Sequence, residues 1–380
     1  MFSRARVYLT AALLALGLTA TAVSAEGLKG ISHRDKIYDL VIRGDEIFAV
    51  GFPGLLLHSS DRGQSWELMD IGTDNALFAI DMAAKGKGVI VGRSGLLYTT
   101  TDGGKSWTAQ KSGIREHLFD VELLDSGRAW AVGHFGTILH SKDGGKSWSA
   151  QQYDATLPEL PEAEKGDGHG GRRDHRISIA EMENEGAVEE ARLNAVCFVD
   201  DQQGWIGGEF GLLLHTTDGG KSWRRQVNSA GKLIFSLRAV DERHLLATGV
   251  EGNLVETRDG GQTWKTVDTG VEEHLLDIWP VGDGYYLVGR DGIVLAREGE
   301  GEPFKRLDLG IYAWLGTVRF LDAKTGFVAG GRGSLLKTTD AGAGWQRLSP
   351  VSFQALDQAA AKAPEKPDSP QGRRGAYSGR

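Results

Sequence analysis

Acidic side chains are the first residues of this chain whose spacing suggests chemistry. Asp61, Asp102, Asp143, Asp218, Asp259 and Asp340 each sit in Ser/Thr-x-Asp-x-Gly-x-Ser/Thr-Trp or a near variant, seen in full as "TTDGGKSW". A second set, Asp39, Asp120 and Asp277 with Asp81 and Glu122, alternates with apolar Leu, Val and Phe in the company of Arg238 and Arg319. Paired carboxylates lining a channel can trade a proton with a substrate as general acid and base. The same groups facing arginines are more often solvated or ion-paired. An active site needs its acid once, so an aspartate that recurs in six copies reads as structural. Its oxygens accept N–H bonds from its own turn, the following Gly permits the bend, and the Trp covers the turn and neighbouring strands. His169 and His175 with Asp167 and Asp174 could suggest a metal, but the glycines and arginines around them argue against one. Cys197 stands alone, so no intramolecular disulfide forms; no His is spaced as its partner, and it reads as buried packing.

The elements that carry these groups follow from a period. Trp66, Trp107 and Trp148 are 41 residues apart; Trp223, Trp264, Phe304 and Trp345 follow at intervals of 75, 41, 40 and 41. The long interval is one period plus an insertion of 34 residues. Seven copies of about 40 residues predict an all-β, seven-bladed β-propeller of four-stranded blades, with one long insertion between blades 3 and 4. Within a copy, "HLFDVELL" (117–124) reads as inner strand a, "RAWAVG" (128–133) as b, "TILHSK" (137–142) as c and "SWSAQQ" (147–152) as outer strand d. A Gly-x-x-Gly, such as Gly92/Gly95 or Gly133/Gly136, links b to c and fits a tight hairpin with positive φ. The high glycine count, 54 against 9 prolines, agrees with many tight turns. The sixth copy, "REGEGEPF", lacks the Asp, so the element is dispensable. Phe48, Trp130, Trp205, Tyr286 and Phe327 share one slot of strand b and read as packing.

A propeller places its a–b and c–d turns on one face and its b–c and d–a connections on the other. The aspartate repeats therefore occupy one face, and the residues that vary between blades occupy the opposite one. There the expected partner-binding residues are Arg93, His134, Phe135, Arg290 and Arg332 within Gly-x-x-Gly, and His117, His274 and Trp314 leading into strand a. Trp314 reads equally as a contact residue and as packing under a loop. The insertion, about 152–188, emerges on this face; with 11 Asp/Glu against 4 Lys/Arg over 152–190 it carries −7 of the chain's net −8. A loop of that length is usually functional or disordered.

The N-terminus, "MFSRAR" followed by an apolar run and "VSA", reads as a signal peptide over 1–25, cleaved ahead of Glu26. The propeller is then expected over 26–350, followed by an Ala/Pro/charged tail over 351–380 that reads as disordered.

The phrase "LNAVCFVDDQQGWIGGEFGLLLHTTDGGKSW" (193–223), echoed from 315 to 345, resembles the photosystem II stability/assembly factor family of Asp-box propellers. The resemblance covers nearly all of 34–350 apart from the insertion. It implies a non-enzymatic lumenal or periplasmic propeller that helps assemble a membrane protein. Photosynthetic members carry an arginine-rich patch, to which Arg93, Arg290 and Arg332 are similar in kind without matching residue by residue. The acidic insertion and basic tail depart from the family pattern and leave the client open, and because such propellers also occur in bacteria without photosystems the resemblance does not imply photosystem II itself. The expectation is an exported, monomeric scaffold that binds a membrane or envelope protein, with no cofactor, metal or nucleic acid. The competing reading is an exported glycoside hydrolase, since sialidases and xyloglucanases also resemble the box. Sialidases need an arginine triad, a Tyr/Glu pair and an early Arg-Ile-Pro. Here "VIRGD" (41–45) lacks the proline, and Tyr38, Tyr285 and Tyr286 show no obvious Glu partner in sequence.

Overall fold

The computed structural model describes residues 31–154, 156, 190–228 and 231–348. The signal peptide, nearly all of the insertion with His169, His175, Asp167 and Asp174, and the tail lie outside the described residues.

Those residues form seven four-stranded antiparallel sheets, each containing four consecutive strands in chain order. The inner strands are Lys36–Arg43, Leu77–Met82, Leu118–Leu123, Leu193–Phe198, Ile234–Ala239, Leu275–Val281 and Leu315–Phe320. Strand b is buried along almost its whole length, as in Gly88–Gly92 and Ala129–Gly133, because neighbouring blades cover both of its faces. Its residues are accordingly apolar or glycine without alternation. Outer strands such as Glu67–Leu68 are short and exposed. The core lies between blades: Phe48, Val50 and Leu56 of blade 1, for example, pack with Leu77, Ile80 and Ile90 of blade 2.

Blades 1 and 7 each supply all four of their own strands, so side chains close the ring. Phe327 meets Trp66 edge-on at 6.1 Å, Arg62 reaches Asp322 at 2.8 Å, and Arg319 reaches Asp39 at 2.9 Å.

The repeated aspartate acts within its turn. Asp143 Oδ1 accepts the Lys146 and Ser147 amides at 3.0 and 2.9 Å and the Ser141 hydroxyl at 2.8 Å, while Oδ2 accepts the Ser147 hydroxyl at 2.6 Å. In Asp61, Asp143 and Asp218 partial burial pulls the carboxyl pKa upward, but these hydrogen bonds outweigh it and hold the group at about 2. The box also joins blades. A Cβ on Gly63 would strike the Phe327 ring at 2.5 Å, one on Gly104 would strike Phe48, and one on Gly220 would meet Trp130 Nε1 at 2.9 Å. These three glycines thus let their turns close on the strand-b aromatic of the preceding blade, whereas Gly145 closes on Val89 and Gly261 on Gln226. Strand-b aromatics stack in turn on a strand-c histidine: Phe48 on His58 at 4.4 Å, Trp130 on His140 at 4.8 Å, Trp205 on His215 at 4.6 Å. Burial keeps His215, and burial with Arg128 keeps His140, down at about 4, so both are neutral aromatic plates at pH 7. Cys197 is buried, and desolvation pushes its thiol pKa far up.

Candidate partner-binding face

The b–c turns define the second face, and their two glycines have separate causes. The first, in Gly51, Gly92, Gly133, Gly208, Gly249, Gly289 and Gly330, has no positive φ. A Cβ there would overlap the carbonyl of the residue leading into the inner strand, for example His117 O at Gly133 or Trp314 O at Gly330. The adjacent amide uses that same carbonyl, as His134 N donates to His117 O at 3.0 Å and Gly331 N to Trp314 O at 2.9 Å. The second glycine does have positive φ, 71° at Gly95 and 62° at Gly136, and it approaches the next blade's d–a connection. Gly136 N donates to Ala191 O at 2.9 Å and Gly333 N to Asp35 O at 2.7 Å. The hairpin expected from sequence is therefore also a joint between blades.

The residue before the second glycine is left-handed in six blades: Ser94, Phe135, Phe210, Glu251, Asp291 and Arg332 have φ between 53° and 57°. This region is unfavourable for bulky L-residues. Phe135 and Phe210 are nevertheless 66% and 46% exposed. They belong to blades 3 and 4, and the insertion joins strand d of blade 3, ending at Gln151, to the inner strand of blade 4, starting at Leu193.

The residues expected on this face fall into groups. Arg93, Arg290 and Arg332 are exposed in three different b–c turns. His117 and His134 stack at 5.0 Å, with Phe135 next to His134 at 5.7 Å. Burial, then His117 and Arg192, lower the His134 pKa, which favours its neutral form in the stack. His117 and His274 also hold turns in place, since each accepts, on Nδ1 at 3.1 Å, the left-handed residue's amide from the preceding blade, Ser94 and Glu251 respectively. Trp314 is half-buried, lies over Gly316 and Gly331, and stacks on Tyr38 at 5.7 Å and 12°.

Deeper in the channel, the second acidic set joins blades. Asp39 Oδ2 accepts Ile80 N at 3.1 Å, Asp81 accepts Leu123 N at 2.7 Å, Asp120 accepts Val196 N at 2.9 Å and Asp277 accepts Val318 N at 3.1 Å. Each acid thus satisfies an amide on the next blade's inner edge, which no sheet neighbour can reach. Arg319 bridges Asp277 and Asp39, and Arg238 lies 3.5 Å from Asp277. Desolvation would raise the Asp277 pKa, but Arg319 and Arg238 overcome it and hold the group low. Across the channel, protein surrounds Asp81, Asp120 and Glu122 even though each keeps some accessible surface. Burial pushes Asp81 to about 6 and Asp120 to about 7, and it raises Glu122 well above the usual range with help from Asp81.

A broad cleft on the box side is lined by Asp200, Val240, Asp241, Arg243, His244 and Arg258, none of which belongs to either set. Nearby, Tyr285 approaches a glutamate only through a histidine: its hydroxyl is 3.3 Å from His244 Nε2, which is 2.7 Å from Glu256, a chain that blade stacking builds from residues up to 41 apart in sequence. The phenol is 4% exposed, and burial, then Glu256, raise its pKa, which unsuits it as a nucleophile.

Sequence reasoning missed one feature. Each inner strand has a register shift near its start, at the third residue in blade 1 and the second in the others: Tyr38, Phe78, Phe119, Asn194, Phe235, Leu276 and Gly316. The signal was an apolar spacing of three and then two, as in Leu77, Ile80 and Met82 or Leu118, Val121 and Leu123, all of them buried. Strict alternation does not produce that spacing, but a one-residue bulge does.

The model of Photosynthesis system II assembly factor YCF48 matches residues 64–170 and 164–234. No curated protein matches the chain. Among solved structures, YCF48 bound to D1 peptide is similar at 17% identity and TM-score 0.61, over 82% of this chain and 93% of that one. YCF48 from Cyanidioschyzon merolae is similar at 17% and 0.60, over 80% and 96%. An ancestral GH74 enzyme is similar at 13% and 0.59, over 86% of this chain but 48% of its own.

Proposed function

We propose that this Asp-box, seven-bladed propeller, whose residues 64–234 match the YCF48 assembly-factor model, is an exported, non-enzymatic binding protein whose b–c face docks a segment of a membrane or envelope protein. One observation carries the reading: Phe135 and Phe210 are exposed and held in left-handed φ, on the face whose turns differ between blades. Strain and apolar exposure together oppose stability, and such positions cluster where a surface makes contacts. Arg93, Arg290, Arg332, His134, His117, His274 and Trp314 surround them as the proposed contact set. The related YCF48 holds a D1 peptide, so a propeller of this kind can receive a polypeptide segment. Periplasmic or equivalent placement follows from the proposed signal peptide over 1–25.

A hydrolase reading has one observation in its favour, the carboxyls of Asp81 and Asp120 poised at about 6 and 7. Both are already spent on inter-blade amide bonds, which favours the binding reading. The test is affinity capture from envelope membranes by the mature protein. A defined membrane protein should be recovered, then lost with Arg93→Glu/Arg290→Glu/Arg332→Glu, and kept with the box-face control Lys105→Glu/Lys146→Glu/Lys221→Glu. Turnover of fluorogenic sialosides or β-glucans that disappears with Asp120→Asn would overturn the proposal.

A further inference from the structure

The seven bulged residues lie at the b–c end of their inner strands, and a bulge turns its side chain out of the ladder. Over blades 7, 1, 2 and 3 the rings form an unbroken arc. Trp314 stacks on Tyr38 at 5.7 Å, Tyr38 meets Phe78 at 5.4 Å, Phe78 meets Phe119 at 5.5 Å, and Phe119 meets His134 edge-on at 4.6 Å. All five rings are half-buried, so each keeps a free surface. Below them the Asp39–Arg319–Asp277 ion pairs tie blades 1, 7 and 6 across the inner edges. In blade 7, whose bulge is Gly316, Trp314 supplies the ring, whereas blades 4 and 6 place Asn194 and Leu276 at the bulge and interrupt the arc on the other side.

Charge divides the same way. The b–c turns of blades 7, 1, 2 and 3 contain Arg332, Arg93 and His134 and no acid. Those of blades 4, 5 and 6 contain Glu209, Glu251 and Asp291, with Arg290 as their cation. Lys36, its Nζ 5.8 Å from the Phe52 ring, adds to the basic half. Aromatic surface and the basic b–c turns therefore coincide on one half of this face, while the connections into blades 1, 2 and 3 balance Arg34, Lys36, Lys111 and Arg115 against Asp35, Asp70, Asp74 and Glu116.

We propose that this arc is the seat for aromatic side chains of an acidic, extended peptide segment, with Arg93 and Arg332 facing its carboxylates. The proposal rests on the binding reading above and names the chemistry of the bound segment. Offset and edge-on ring pairs supply preference for aromatic over aliphatic side chains, and the one-sided charge of the b–c turns sets the sign of the flanking residues.

The experiment uses the full mature protein and fluorescein-labelled decapeptides of alternating Glu–Phe, Glu–Ala and Lys–Phe, followed by anisotropy at fixed ionic strength. Glu–Phe should bind at least ten-fold more tightly than either counterpart. Phe78→Ala/Phe119→Ala should abolish that advantage and leave the weak Glu–Ala signal unchanged, while Arg93→Ala weakens both Glu-containing peptides. Phe78→Leu/Phe119→Leu preserves volume, and its thermal melt checks that the ring is folded; it should retain part of the advantage. Equal binding of Glu–Phe and Glu–Ala, or an unchanged advantage in the folded alanine variant, would overturn the proposal. So would displacement of Glu–Phe by a β-glucan oligosaccharide at lower concentration than by unlabelled peptide. Failure here with client capture still lost in the arginine triple variant refutes the arc alone. Failure of both refutes the binding reading as well.

Discussion

The two faces of the propeller are built from turns of similar length that treat their residues in opposite ways. In the c–d turns the left-handed positions are mostly glycines, as at Gly103, Gly104, Gly144 and Gly145, and a carboxylate satisfies the loose amides. In the b–c turns the glycines are fixed by close backbone approach, and a left-handed position falls on phenylalanine, glutamate, aspartate or arginine. One face is relaxed and repeats; the other carries strain and varies. Turns that only hold blades in register can be standardised, whereas contact surfaces vary, and this difference is why the binding face is proposed on the strained side.

The acids on the two levels of the molecule make the comparison sharpest, because they are linked to folding with opposite sign. Box aspartates held at about 2 lie below their unfolded values, so their contribution is present above about pH 4 and lost as pH falls towards 2. Asp81 and Asp120, at about 6 and 7, lie above theirs. The folded chain then holds protons that the unfolded chain has released, and stability falls as pH rises from about 4 to 7. Urea midpoints measured from pH 2 to 8 should peak between pH 4 and 5. Asp120→Asn should flatten the neutral limb only, and Asp143→Asn should shrink the acid limb only. A midpoint that climbs steadily from pH 4 to 7 would refute the assignment of the channel acids.

The glycines give the next effect. Gly133→Ala places a methyl on His117 O, so two strands must separate, at a cost of about 3 kcal/mol. Gly144→Ala on the box face meets only Lys87 Cδ at 3.6 Å and suffers chiefly from its φ of 76°, costing about 1 kcal/mol. Thermal unfolding of the two variants reads the difference, and equal losses would show that the overlap with His117 O costs no more than a left-handed Cβ.

Much of the contrast was legible before any coordinates. The Trp66, Trp107 and Trp148 period fixes the blades, and Gly-x-x-Gly marks the variable turns, because turn chemistry is local. What escaped was relational. The bulge at Phe78 or Phe119 recurs in every blade, so comparing repeats reveals no irregularity, and only the three-then-two apolar spacing betrays it. The pairing of Asp120 with Val196 N joins residues 76 apart, and Tyr285 with His244 joins residues 41 apart, by way of blade stacking that no short motif encodes. His117 likewise reads as a contact residue in sequence, yet it also accepts the strained Ser94 amide.

The smallest expected effect discriminates most between the faces. Phe135→Gly removes a ring that is 66% exposed and a left-handed Cβ together, so little burial is lost and the strain is relieved. Stability should rise by about 1 kcal/mol, and Phe210→Gly, at 46% exposure, should gain somewhat less because more apolar contact is given up. Both should weaken client capture, whereas Ala341→Gly, which relieves a left-handed residue on the box face, should stabilise and leave capture unchanged. If Phe135→Gly instead lowers the melting temperature, the ring is packing rather than bait, and the recognition surface contracts to the bulge arc and its arginines. Four further turns hold the same φ with smaller or charged residues, so a stabilising Phe135→Gly that also weakens capture would tie the strain to the proposed contact rather than to the shared turn geometry.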